Sequence, residues 1–68
     1  MITIRELTKK TNVTVRTLRY YDTIGLLTPS GKTEGGHRLY AEEDVSKLYK
    51  ILFLKDLGFK LNDIKNIL

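Results

Sequence analysis

The sequence predicts a mainly α-helical domain of about four helices, in which the first two form a helix-turn-helix and a small two-stranded β-hairpin follows them. Three observations indicate this fold. The first is that capping residues and glycines mark the ends of short segments with apolar residues at helical spacing, near both ends of the chain. The second is that residues 28–40, between these segments, are rich in Gly and have no helical period. The third is length, because 68 residues give room for one domain with one small core.

The first two helices are short and lie on either side of a turn. Thr3 and Glu6 match a capping box, which predicts a helix from there to about Lys10. Thr14 suits the N-cap of a second helix, and Gly25 suits the position after its end because glycine tolerates a positive φ. Two short helices joined by a turn are typical of a helix-turn-helix.

The segment KTEGGHRLY, residues 32–40, predicts a β-hairpin. We expect its strands near Lys32–Thr33 and Arg38–Tyr40, joined by a Gly-Gly turn. Successive residues of a strand face opposite sides. With Leu39 packed on the helices, Arg38 and Tyr40 would face outward toward a partner; the alternative is that they are two solvated strand residues.

The longest periodic segment, residues 41–57, predicts the third helix. Acidic residues in its first turn suit the positive end of a helix dipole. These acids are Glu42, Glu43 and Asp44. Gly58 ends this helix, and a fourth amphipathic helix begins near Leu61.

The positive charge of the chain is localised. The net charge is +4, and all of it comes from residues 1–40, which hold seven Lys or Arg against three Asp or Glu. Residues 41–68 hold five charges of each sign. A localised positive charge is what a nucleic acid partner requires, because it neutralises phosphates; a solvated face that keeps a small protein soluble is the alternative.

Several classes of function find no support in the composition. There is no Cys, and His37 is a lone histidine, so we expect no metal site and no cofactor. No apolar run approaches the roughly 20 residues of a membrane helix, and the start lacks the form of a signal peptide. We therefore expect a cytoplasmic protein with no membrane partner. The acid cluster is explained by the helix dipole, so we expect no enzyme.

The second helix carries a basic, aromatic outer face. At about 100° per residue, Leu18 and Tyr21 mark its inward side, and Arg16 and Tyr20 lie opposite. The residues that flank this outer pair are Thr17 and Arg19. Such a face fits insertion into a DNA major groove, because Arg can bond a guanine edge or a phosphate. The alternative is that Arg16 and Tyr20 stack on each other in water.

Three further polar residues have other expected roles. Asp22 lies toward the core side, and we expect an ion pair with Arg19 or a hydrogen bond to nearby backbone. Tyr21 is expected in the core with its hydroxyl reaching outward. His37, at the hairpin turn, either contacts DNA or has no role.

Three motifs in order resemble the DNA-binding domain of the MerR family of bacterial transcription regulators. They are TLRYYD followed by IGLL, the hairpin GHRLY, and the turn LGF before the last helix. The resemblance covers essentially all 68 residues. It implies a winged helix-turn-helix with the second helix in the major groove and the hairpin on the backbone. Ala41 and Lys60 depart from the family's usual Ser or Thr helix caps, at a cost of roughly 0.5–2 kcal/mol each.

The resemblance and the residue patterns together give a set of expected DNA contacts. These are Thr14, Arg16, Thr17, Arg19, Tyr20, Tyr21, His37, Arg38, Tyr40 and Lys60. The implied partners are promoter DNA, bound at pseudo-palindromic sites by a dimer, and RNA polymerase at that promoter. The family activates transcription by distorting the DNA between over-spaced promoter elements.

The resemblance also implies that residues 1–68 are the DNA-binding domain alone. The family's dimerisation helix and effector domain would follow Leu68, so we expect either an excised domain or a minimal relative, with a homodimer only when that helix is present. The main alternative is an excisionase-like architectural DNA-binding protein, which works without a dimerisation helix. A protein-interaction module that uses the last helix is a further alternative.

Overall fold

A computed structural model describes all 68 residues, from Met1 to Leu68. Its elements are β1 (Ile2–Thr3), α1 (Ile4–Thr11), α2 (Val15–Thr23), β2 (Gly31–Lys32), β3 (Arg38–Tyr40), α3 (Glu42–Asp56) and α4 (Leu61–Ile67). The four predicted helices are all present. None of them is long and apolar enough to cross a lipid bilayer.

The helix boundaries follow local capping chemistry. The Thr3 hydroxyl accepts from the Glu6 backbone N–H at 3.1 Å, and a Glu6 carboxylate oxygen accepts from the Thr3 N–H at 2.9 Å, which confirms the capping box. Gly25 and Gly58 have φ values of 71° and 96° and follow α2 and α3 as predicted. Asn12 ends α1 in the left-handed region, at φ 62°, where Asn is tolerated better than most residues.

The sheet has three antiparallel strands in the order β1-β3-β2, so the prediction of a two-stranded hairpin was incomplete. In β1, Ile2 pairs with Tyr40 and Thr3 with Leu39. A strand of two residues is too short to show alternation, and Thr3 is also the N-cap of α1, so the sequence pattern there indicates only the helix. The added strand places β3 at the centre of the sheet.

A small core joins the helices and the sheet. Nine apolar or aromatic side chains are buried there: Leu7, Leu18, Tyr21, Leu26, Leu27, Tyr40, Leu48, Ile51 and Ile64. Every helix contributes at least one of them. Because α2 contributes only Leu18 and Tyr21 to this core, its opposite side stays exposed at Arg16, Arg19 and Tyr20.

Asp44 has a role that the helix dipole alone does not explain. It is 8% exposed, and its Oδ2 accepts from the Ala41 N–H at 2.8 Å, the Ser30 N–H at 3.1 Å and the Ser30 hydroxyl at 2.6 Å. Ala41 has no side-chain oxygen with which to cap α3, so Asp44 supplies half of a capping box and also ties the segment before β2 to α3.

Candidate nucleic-acid interface

The outer face of α2 carries basic and aromatic side chains that make no bond within the chain. Arg16, Arg19 and Tyr20 are exposed, Tyr20 by 53%, whereas Leu18 and Tyr21 on the inner face are 0% and 2% exposed. Neither arginine side chain makes an ion pair or a hydrogen bond to another residue. The side chains therefore lie as the helical periodicity predicted, with two guanidinium groups and a phenol directed into solvent.

The first turn of α2 is fixed by two threonines. The Thr14 hydroxyl accepts from the Thr17 backbone N–H at 3.1 Å and donates to the Thr17 hydroxyl at 2.9 Å. Thr14 is thus the N-cap that the sequence predicted. Its hydroxyl is exposed and already bonded, so its first role is to position α2.

Two lysines hold the other end of α2. Lys65 of α4 donates from Nζ to the Ile24 carbonyl at 2.8 Å, and Lys55 of α3 donates from Nζ to the Tyr21 hydroxyl at 3.5 Å. A cation at a helix C-terminus also interacts favourably with the helix dipole. Lys65 therefore links α4 to the residue that caps the C-terminus of α2, and Lys55 adds a longer, weaker link from α3.

Arg38 of β3 lies against α2. Its Nε donates to Oδ2 of Asp22 at 3.0 Å, and the two side chains are 30% and 25% exposed. The expectation that Asp22 pairs with Arg19 or with nearby backbone was therefore wrong. The actual partner is 16 residues away, and only the packing of the sheet on the helices brings it close.

The outward orientation expected for Tyr40 was also wrong. Tyr40 is 1% exposed and belongs to the core, whereas Leu39 is only partly buried. Alternation along β3 was predicted correctly, but the inward face was assigned to the wrong residue: Arg38 and Tyr40 share the side that faces the helices. A buried Tyr40 cannot reach DNA without a rearrangement of the core, so we remove it from the expected contacts.

The Tyr40 hydroxyl lies in an unusual environment. It is buried and makes no hydrogen bond with another residue. Burial raises the pKa of this phenol above its ordinary value of 10.0; Arg38 opposes this shift, while Asp22 and Asp44 reinforce it. The folded protein therefore favours the neutral form of Tyr40.

The remaining predicted contacts are spread over three elements. His37 is exposed at the hairpin turn, and its imidazole lies close to Gly35. A Cβ placed on Gly35 would be 3.3 Å from Cδ2 of His37. Lys60 is exposed at the N-cap of α4, with no bond from its side chain. Tyr21 is a core residue, so only its hydroxyl, beside Lys55, is a candidate for contact.

The sequence interpretation missed the residues that connect elements. Asp22 and Lys65 were not assigned to the contacts they make, and Asp44 was explained only by the helix dipole. A charged residue on the inward side of α2 was the one signal available, because a charge that is partly removed from water requires a partner. No group of three or more His, Asp or Glu side chains is placed to hold a metal ion.

The chain is similar to known proteins over nearly its whole length. Residues 2–68 match the family model described as MerR HTH family regulatory protein. The chain is 43% identical over 65 residues to the HTH-type transcriptional activator mta of Bacillus subtilis, in an alignment that covers 96% of this chain and 25% of that protein.

Two solved structures show the same fold. A transcriptional regulator of the MerR family from Bacillus cereus is 53% identical, with a TM-score of 0.94 over 97% of this chain and 49% of that one. HiNmlR, a MerR family regulator lacking the sensor domain and bound to promoter DNA, is 35% identical, with a TM-score of 0.85 over 96% and 52% of the two chains. The present chain thus spans about half the length of each.

Proposed function

The chain belongs to the MerR family of helix-turn-helix transcription regulators, which are DNA-binding proteins and not enzymes, and on this basis we propose how it binds. It recognises a specific sequence in double-stranded DNA at a promoter. Helix α2 enters the major groove, and the β2–β3 hairpin lies as a wing on the sugar-phosphate backbone.

The observation that carries this proposal is the outer face of α2. Two arginines and a tyrosine are exposed there with no partner in the fold, while the opposite face of the same helix is buried. An arginine fork can bond both acceptors of a guanine edge or two oxygens of a phosphate. Thr14 caps the N-terminus of α2, and Lys65 bonds the Ile24 carbonyl at its C-terminus. A helix fixed at both ends favours base-specific contacts, because its side chains keep one register on the DNA.

Each proposed contact has a role that follows from its position. Arg16, Arg19 and Tyr20 contact bases or phosphates from α2, and Thr14, Thr17 and the Tyr21 hydroxyl support them at its two ends. Arg38 and His37 contact phosphates from the wing. Lys60, at the start of α4, supplies a further phosphate contact on the flank.

The full-length protein would act at a promoter together with RNA polymerase in the cytoplasm. A dimer would place two α2 helices in successive major grooves, which requires an inverted repeat in the DNA. Residues 1–68 would bind a single half-site weakly and mainly as a monomer, because the second subunit's contacts are lost. An excisionase-like architectural role remains the second candidate, since it needs a winged domain of the same kind.

Selection from a random pool of labelled duplexes tests this function. The chain is mixed with the pool at low salt, the bound fraction is sequenced, and fluorescence anisotropy measures affinity for the enriched duplex. Enrichment of a defined half-site supports the proposal. Binding without an enriched sequence would favour the architectural role, and no binding at low salt would overturn both.

A further inference from the structure

We propose that Asp22 is a positioning residue for DNA binding, which holds the Arg38 guanidinium between α2 and the wing with its outer amino groups directed to a backbone phosphate. The inference rests on the proposed function, because it requires the wing to lie on DNA. Asp22 places a negative charge close to a basic DNA-binding face, where it would by itself weaken binding, and the proposal assigns that charge a function.

The geometry gives this ion pair a special place in the fold. Asp22 lies on α2 and Arg38 on the central strand of the sheet, and Nε and Oδ2 are 3.0 Å apart. Strand β2, which completes the wing, has only two residues. A wing built from such short strands gains orientation relative to α2 from a charged bond of this kind.

The chemistry of the guanidinium allows both partners at once. Arginine has five N–H donors, and the carboxylate of Asp22 takes the one on Nε. The four N–H groups on the two Nη atoms make no bond within the chain, so a phosphate can accept two of them in a bidentate pair. At 30% exposure, the Arg38 side chain is partly fixed by packing and still reaches solvent.

Simple electrostatics and positioning predict opposite effects for the loss of Asp22. Asp22→Asn removes a negative charge near the proposed interface and raises the net charge from +4, so charge alone predicts tighter binding and a steeper dependence on salt. Positioning predicts weaker binding, because the neutral amide oxygen of Asn holds the guanidinium less firmly than a carboxylate and Arg38 then samples several rotamers. It also predicts a salt slope smaller by about 0.9, the value of one lost phosphate contact.

The matched control is Glu34→Gln. Glu34 is exposed in the wing turn, forms no ion pair, and its loss changes the net charge by the same amount. The probe is a labelled duplex enriched by the wild-type chain. We expect Asp22→Asn to weaken binding on the order of tenfold, in the range of a lost charge-assisted hydrogen bond, and Glu34→Gln to leave binding unchanged or tighter.

A double-mutant cycle separates positioning from a general effect on the fold. On an Arg38→Gln background, Asp22→Asn should cause no further loss of affinity, because the residue it positions is gone. Asp22→Glu, which retains the carboxylate, should restore most of the binding that Asp22→Asn loses. An equal loss on both backgrounds, or binding by Asp22→Asn as tight as by Glu34→Gln, would overturn the proposal.

Nuclear magnetic resonance of the wild-type chain provides a test that does not depend on the variants folding. The Arg38 Nε–H proton should be protected from exchange with water in the free protein and remain so when the duplex is added. Loss of that protection on binding would show that the pair breaks, and would overturn the inference. A wild-type chain that fails to bind DNA at all would instead overturn the proposed function.

Discussion

Tyr40→Phe tests the position of the wing most simply, because it removes one buried hydroxyl and nothing else. That hydroxyl makes no hydrogen bond in the fold, and a buried polar group without a partner costs about 1–3 kcal/mol. Removing the hydroxyl therefore stabilises the fold, although the small void left behind offsets part of this stabilisation. We therefore expect Tyr40→Phe to be more stable by about 1 kcal/mol, which raises Tm by roughly 4–8 °C in a domain of this size.

The assay is thermal unfolding followed by circular dichroism at two pH values. Burial raises the pKa of Tyr40, so the unfolded chain ionises first as pH rises past its ordinary value of 10.0. The stability that comes from the neutral phenol is complete below that pH and is lost as pH rises through the folded pKa. The advantage of Tyr40→Phe over wild type should therefore grow from pH 7 to above pH 10.

Tyr21→Phe is the matched control. Tyr21 is as buried as Tyr40, but its hydroxyl accepts from Lys55 at the long distance of 3.5 Å, so its removal should lower the free energy of unfolding slightly, by about 0.5 kcal/mol. A Tyr40→Phe variant that is destabilised as much as Tyr21→Phe would refute the reasoning, since the Tyr40 hydroxyl would then have a partner. A variant that is stable but has lost DNA binding would return Tyr40 to the DNA contacts.

Two further predictions concern the helix ends. Glu6→Gln should make the stability of the fold depend less on pH in the acid range. A hydrogen bond from the Thr3 backbone lowers the pKa of Glu6 below 4.5, so the stabilising contribution of its carboxylate is present above that pH and is lost as pH falls through the folded pKa. Urea unfolding at several acidic pH values measures this dependence, and the same dependence in the variant and in wild type would contradict the prediction. Lys65→Met removes the cation at the end of α2 and should lower the free energy of unfolding, measured in urea, by about 0.3–1 kcal/mol. The control Lys50→Met, at an exposed site with no partner, should change it by no more than about 0.5 kcal/mol. Equal effects of the two variants would contradict the role of Lys65 at the end of α2.

The helices could be predicted from sequence because their boundaries depend on neighbouring residues. The capping box of Thr3 and Glu6 and the positive φ of Gly25 and Gly58 involve groups within a few residues of each other. The outward side of α2 followed from periodicity, because Leu18 and Tyr21 identify the buried side without knowledge of what covers them.

The wing could not be predicted in the same way. Alternation in β3 defines two faces but does not say which one is covered, and Leu39 suggested the wrong one because it is the most apolar residue of the strand. Tyr40 is buried where α3 and β1 contact β3, and the two residues of β1 carry no strand pattern. The pair of Asp22 and Arg38 spans 16 residues, so it follows only from the assembled fold.

The central claim is that the outer face of α2 binds DNA, and Arg16→Ala tests it most directly. Affinity for the enriched duplex is measured by anisotropy at several salt concentrations for wild type, Arg16→Ala and Lys50→Ala, an equal charge loss on the exposed side of α3. We predict that Arg16→Ala weakens binding by about 1–3 kcal/mol if it reads a base, or lowers the salt slope by about 0.9 if it binds a phosphate. Lys50→Ala should have little effect. Equal effects of the two variants would contradict the claim.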